Sequence, residues 1–178
     1  MHKHVPQMLT TGLLTLTLSA LWAGALWGQP PSSISIRSSQ TTFPVGAPIE
    51  LQVIFTNTSN RGISLVVETK TQSAEVSDFL VEVTDAKGKV PKITRYYDLL
   101  TGEKAPRDAI ANPDDNGIFV GSLFEMVLAP GKAEHLRMNL ARLFDLNEPG
   151  QYSIRLKRTD PADGIPVMSN FLKITITK

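Results

Sequence analysis

The chain has 178 residues, 42% of them hydrophobic and 20% charged, with 12 Gly, 12 Pro and no Cys. The length suits one domain or two small ones, and Lys plus Arg (18) nearly balances Asp plus Glu (17). That balance leaves no electrostatic footprint for nucleic acid or an anionic membrane. The lack of Cys excludes disulfides, Cys-ligated zinc, iron–sulfur clusters and a thiol nucleophile.

Residues 1–28 read as a signal peptide. Lys3, between His2 and His4, is the last charged side chain before Arg37. A Leu-rich run extends from Met8 through Leu13, Leu14, Leu16 and Leu18 to Leu21 and Trp22, and the small residues Ala23, Gly24 and Ala25 close it. A basic start, an apolar middle and a small-residue exit are the three parts of a secretory leader, which predicts cleavage near Ala25 or Gly28. Thr10, Thr11, Thr15 and Thr17 inside the run argue against an uncleaved anchor. The expectation is an exported protein, periplasmic or extracellular, that meets a membrane only if the leader is retained. Residues 29–33, with Pro30, Pro31, Ser32 and Ser33, form a linker. Without Lys3 the chain carries 17 acidic and 17 basic residues and keeps one His, His135. A mature chain of roughly 150 residues buries about 68–70% of its unfolded surface, enough for a core without disulfides.

Period-two alternation then recurs at turn-bounded intervals. Ile34 to Arg37 opens the series. Ile49, Leu51, Val53 and Phe55 share one face while Glu50, Gln52 and Thr56 share the other; Ile63, Leu65 and Val67 follow, then Phe79, Val81 and Val83. The stretches Val90 to Tyr96 and Ile118 to Leu128 are weaker strand candidates. Leu136, Met138 and Leu140; Tyr152, Ile154 and Leu156; and Leu172, Ile174 and Ile176 complete the series. Alternation at this period marks strands with one buried face. Asp85-Ala86-Lys87-Gly88 suits a tight hairpin, and Ala129-Pro130-Gly131-Lys132 has the Pro-Gly order of a type II turn. Ala141 to Leu146 suits one short helical turn, and no amphipathic helix stands out elsewhere. Residues 34–178 are therefore predicted to form an all-β, antiparallel, immunoglobulin-like Greek-key sandwich of about 8–9 strands. A parallel sheet would need crossover helices for which there is no room. Gly150 two residues before Tyr152 resembles a tyrosine corner, which assigns Tyr152 and Gly150, like Gly88 and Gly131, a structural role.

The segment 98–116 lacks alternation and holds Gly102, Pro106 and Pro113. A loop of that length in a small domain is a candidate binding element. Arg95, Tyr96 and Tyr97 at its mouth, with Arg107 and Asp108 within it, form the predicted contact surface, because Tyr and Arg dominate binding hot spots. His135 sits on the strand face opposite Leu136 and Met138, where a solvated side chain is expected; a hydrolase using it would require an acid and a Ser nearby. One His without Cys argues against zinc. Asp114 and Asp115, and the loop Asp160-Pro161-Ala162-Asp163-Gly164, are the oxygen-rich candidates for weak calcium binding, though without the spacing of a dedicated site. No phosphate-binding or dinucleotide fingerprint occurs, and no cofactor is expected. Asn57-Thr58-Ser59 matches a glycosylation acceptor and also suits a strand-closing turn.

The motif order Gly46-x-Pro48-Ile49-x-Leu51-x-Val53-x-Phe55-x-Asn57-x-Ser59, then Asp78 to Asp85 with Gly88-Lys89, then Leu128-Ala129-Pro130-Gly131 and Pro149-Gly150-x-Tyr152-x-Ile154, resembles bacterial immunoglobulin-like domains of the BsuPI proteinase-inhibitor type. It is also similar to the β-sandwich propeptide of deuterolysin-like metallopeptidases. The resemblance runs from about Phe43 to Ile176 and implies a sandwich; it brings no inhibitory-loop residues with it. Two departures stand beside it: that inhibitor type is intracellular whereas this chain reads as exported, and no zinc-binding helix follows the sandwich. The expected function is a non-enzymatic, exported module that binds another protein or an envelope component through 98–116. A proteinase inhibitor presenting that loop is the alternative, and a small hydrolase using His135 ranks last.

Overall fold

A computed structural model describes residues 30–68, 73–75, 78–101 and 123–178. Along the chain run β1 (Ser32–Ser38), β2 (Thr42–Pro44), β3 (Glu50–Asn57), β4 (Ile63–Glu68) and β5 (Leu80–Asp85), then the helix α1 (Arg95–Thr101). After it come β6 (Leu123–Leu128), β7 (Ala133–Asn139), a 3-10 turn (Leu140–Arg142), β8 (Gly150–Thr159), β9 (Pro166–Met168) and β10 (Leu172–Thr177). The expected leader with its cleavage near Ala25 or Gly28, and residues 102–116 of the 98–116 segment, lie outside the described residues.

The alternating sequences become two facing sheets. One has the order β1-β3-β7; the other has β2-β10-β8-β5, with β9 beside the end of β8. A separate two-stranded ribbon pairs β4 with β6. Pairing is antiparallel except where β2 lies parallel to β10 through Phe43 opposite Ile176. The fold is an all-β, immunoglobulin-like sandwich. Its core joins Ile34, Leu51, Val53, Phe55, Leu136 and Met138 from the first sheet to Val81, Val83, Ile154, Leu156 and Ile174 from the second. Phe55 and Phe79 meet edge to face across the layers, their ring centroids 6.0 Å apart. Such contacts, summed over the interior, outweigh the cost of ordering the strands.

The corner before β8 has the predicted form. The Tyr152 ring is buried, and its hydroxyl donates to the Glu148 carbonyl at 2.8 Å. At the end of β5, Gly88 takes φ +78° and donates to the Asp85 carbonyl, while the Asp85 side chain accepts the amide protons of Lys87 and Lys89. This is a turn but not the expected hairpin: β5 pairs only with β8 among the described residues, and the chain leaves the turn toward α1.

Two further expectations are corrected. Val90 to Tyr96 is not a strand, and an amphipathic helix does exist. Thr94 caps it, its hydroxyl accepting the Tyr97 N–H at 3.2 Å, as a threonine one residue before a helix does. Tyr97 and Leu100, three residues apart, share the face that packs on the core, and Ile93 just ahead of the cap packs there too. The expected turn at 141–146 is present as the 3-10 element, one residue earlier, with the Asn139 side chain accepting the Ala141 N–H.

Candidate functional site

The predicted contact surface divides into a buried part and an exposed part. Arg95 is exposed at the start of α1. Tyr97 is not a surface residue: it is buried, its ring lies 5.3 Å from that of Phe144, and its hydroxyl accepts the Val81 N–H of β5 at 3.2 Å. Tyr96 is half-buried, with the Arg142 guanidinium 4.2 Å above its ring. The reason is the helix, which turns both tyrosines toward the sandwich where a strand would have turned one outward. Arg107, Asp108, Asp114 and Asp115 lie outside the described residues.

What holds α1 in place is a buried carboxylate that the sequence did not single out. Glu75 accepts the Asn139 N–H at 2.8 Å, pairs with Arg142 at 2.9 Å and is hydrogen-bonded by the Tyr96 side chain. Burial pushes its carboxyl above the ordinary glutamate value, against the pull of the Asn139 N–H, Arg142 and Tyr96. The folded state therefore binds the proton more tightly than the unfolded chain does. The stability this contributes is complete below the ordinary glutamate range and is lost as pH rises through the raised folded value. Glu75→Gln removes that titration, so urea midpoints measured across weakly acidic pH are expected to fall less steeply with rising pH in the variant. Identical slopes would exclude this role for Glu75.

His135 stands exposed on β7, in an open surface pocket lined by Gln52, Val53, Leu136 and Arg137. That lining contains neither the acid nor the hydroxyl that a His-assisted hydrolysis requires. A second pocket, of about 180 Å³, opens beside the tyrosine corner and includes Asp85, Lys89, Lys92, Asp145, Glu148 and Tyr152. Its polar groups serve the fold: Asp85 holds the β5 turn, Asp145 accepts the Asn147 N–H, and Tyr152 bonds Glu148. Burial, with the charges of Glu148, Asp85 and Asp145, pushes the Tyr152 phenol up and keeps it protonated.

The acidic loop at Asp160 already has its cation. Arg61 lies 2.9 Å from Asp160 and 3.2 Å from Asp163, while the remaining oxygens accept the Ala162 and Ile165 amide protons. Burial raises the Asp160 carboxyl, but the Ala162 N–H and the two nearby arginines outweigh it and hold it below the usual aspartate value. An arginine occupies the role considered for calcium in this loop. The glycosylation reading of Asn57 is corrected too. Its side chain is buried and its Nδ2 donates to the Arg61 and Leu128 carbonyls, so folded protein offers no acceptor nitrogen.

Exposed apolar side chains stand instead on both faces of β6, where Phe124 is 53% exposed on one side and Val127 71% on the other. Glu125 between them accepts a hydrogen bond from Ser64 on β4. Among the described residues no helix is long and apolar enough to cross a membrane, and no three potential metal ligands converge.

No family model matches the chain. No curated protein matches it either. Solved structures share its outline at low identity. A β-glucosidase from Erythrobacter marinus is 12% identical, with TM-score 0.41, over 82% of this chain and 16% of its own. The CARDB domain of a Pyrococcus furiosus protein, solved with di-metal ions, is 10% identical, with TM-score 0.39, over 82% of this chain and 91% of its own. An alkylpurine DNA glycosylase from Pseudomonas fluorescens, bound to DNA containing an abasic-site analogue, is 12% identical, with TM-score 0.41, over 83% of this chain and 31% of its own. The chain thus spans only a small part of the two enzymes, and none of the three brings a function with it.

Proposed function

We propose that this chain is an exported, non-enzymatic binding module. Its contact surface for another protein or an envelope component comprises Arg95, the 98–116 segment and the β6 strand that follows it. The observation that carries this reading is the exposure of Phe124 and Val127 on one short strand. Their three-residue spacing puts them on opposite faces of the strand, so a partner that covers both wraps the edge of β6. Large exposed apolar side chains of this kind are what a protein interface buries. Export rests on the leader pattern of residues 1–28 alone, and the surroundings of His135 favour a non-enzymatic role.

A proteinase inhibitor is the second reading, in keeping with the resemblance to BsuPI-type domains. The anchoring of α1 by Glu75, Tyr97 and the Thr94 cap favours it, because an inhibitory segment must leave its scaffold from a fixed point. Both readings are tested by passing the host's envelope and extracellular proteins over the immobilised chain and over a Phe124→Ser, Val127→Ser variant of unchanged melting temperature. A protein retained by the first and lost from the second is the expected result, and a peptidase among those retained favours inhibition. Equal retention by both would remove β6 from the contact surface.

A further inference from the structure

The outer face of the larger sheet carries a second, separate feature. Register places Leu80 of β5, Lys157 of β8 and Met168 of β9 side by side in one row. The next row holds Glu82 and Arg155, with Phe171 ahead of β10 stacked 4.7 Å from the Arg155 guanidinium. A third row holds Thr84, Ser153 and Lys173. Rows two residues apart are separated by about 7 Å and neighbouring strands by about 4.8 Å, so these positions form one continuous patch.

Its composition is unusual for a solvated sheet face. Leu80 is 51% exposed, Met168 41% and Phe171 63%. Arg155 is neutralised by Glu82 through two hydrogen bonds of 3.0 and 2.6 Å to one carboxylate oxygen. Lys157 and Lys173 have no ion-pair partner among the described residues. Lys157 lies between two exposed apolar side chains, so a partner that covers Leu80 and Met168 passes beside its ammonium group and gains by placing a negative charge there.

We propose that this face docks an acidic, amphipathic segment of another protein, its apolar side chains on Leu80, Met168 and Phe171 and its carboxylates at Lys157 and Lys173. A polyanion such as nucleic acid or an anionic bilayer fits less well. Glu82 presents a carboxylate in the middle of the patch, and the chain as a whole has a net charge of only +1. This surface does not rest on the β6 reading, and losing one leaves the other standing.

The test is a titration of the full chain, followed by amide NMR shifts, with a synthetic amphipathic peptide of Leu, Phe and Glu. The same peptide with Lys for Glu, phosphatidylglycerol vesicles and a single-stranded oligonucleotide run in parallel. Saturable shifts at Leu80, Lys157, Met168 and Phe171 with the acidic peptide alone are expected, weakening with added salt. Lys157→Glu is expected to weaken binding by roughly tenfold or more, with Lys157→Gln as the milder variant should the first fold poorly. The proposal is overturned by no saturable shift, by equal response to the basic peptide, by preference for vesicles or oligonucleotide, or by undiminished binding in the Lys157 variants.

Discussion

Replacing Arg158 by Met is expected to leave stability unchanged or raise it, whereas replacing it by Ala is expected to cost about 2–4 kcal/mol. The guanidinium is buried between the sheets, 5.0 Å above the Phe55 ring. One nitrogen donates to the Ser64 carbonyl at 2.7 Å and to Asp78 at 3.1 Å, while Nε and Nη1 have no partner. Asp78 itself is partly exposed, so water screens the charge that should compensate the arginine. Asp160, buried nearby, attracts the guanidinium without bonding to it and is itself neutralised by Arg61. The desolvation cost is thus only partly recovered, with contact with the Phe55 face returning about 2 kcal/mol. Methionine keeps the volume over Phe55 and deletes two unsatisfied donors. Alanine deletes them as well but opens a void above the ring and below β4. Urea unfolding of the two variants beside the parent decides the matter. A methionine variant as unstable as the alanine one would mean that the polar contacts dominate and that this account of Arg158 is wrong.

Arg158 also marks how far the alternation of the sequence reaches. Tyr152, Ile154 and Leu156 announce the inward face of β8, and the same parity carried one step further puts Arg158 inside. Hydropathy conceals that step, because a charged residue is ordinarily read as outward. The strong strands were legible for the converse reason: in β10 parity and hydropathy agree, and in β3 and β5 the inward apolar residues outnumber the exceptions Ile54, Asn57 and Leu80, so the buried face follows. The tyrosine corner was legible as a local device whose bond spans four residues. Contacts made across the chain were not. The clamp on α1 joins Glu75 to Asn139 and Arg142, and the Asp160 loop takes its cation from Arg61, about a hundred positions away. No local window holds both partners. On the candidate site, the sequence pointed to a surface around residues 95–116; of its named residues only Arg95 is described and exposed.

Tyr97 tests that division directly. As a surface contact residue it would tolerate truncation within about half a kcal/mol. In the structure its ring fills space between α1, Phe144 and β5, so Tyr97→Ala is expected to cost about 3–5 kcal/mol. Tyr97→Phe keeps the ring and removes the acceptor of the Val81 N–H, leaving a buried donor unpaired at a cost of about 1–3 kcal/mol. Arg95→Ala, next to the same capping threonine but exposed, is expected to stay within about half a kcal/mol. Denaturant unfolding of the three variants gives the ordering, and a neutral Tyr97→Ala would return that ring to the surface. The ordering matters for function as well as for folding. If the Tyr97 variants lose stability while Arg95→Ala alone weakens partner capture, α1, which takes in the first four residues of the expected 98–116 loop, acts as a fixed post that carries part of the contact surface. The binding energy then resides at Arg95 and its neighbours on the contact surface, and the tyrosines contribute by holding the helix still.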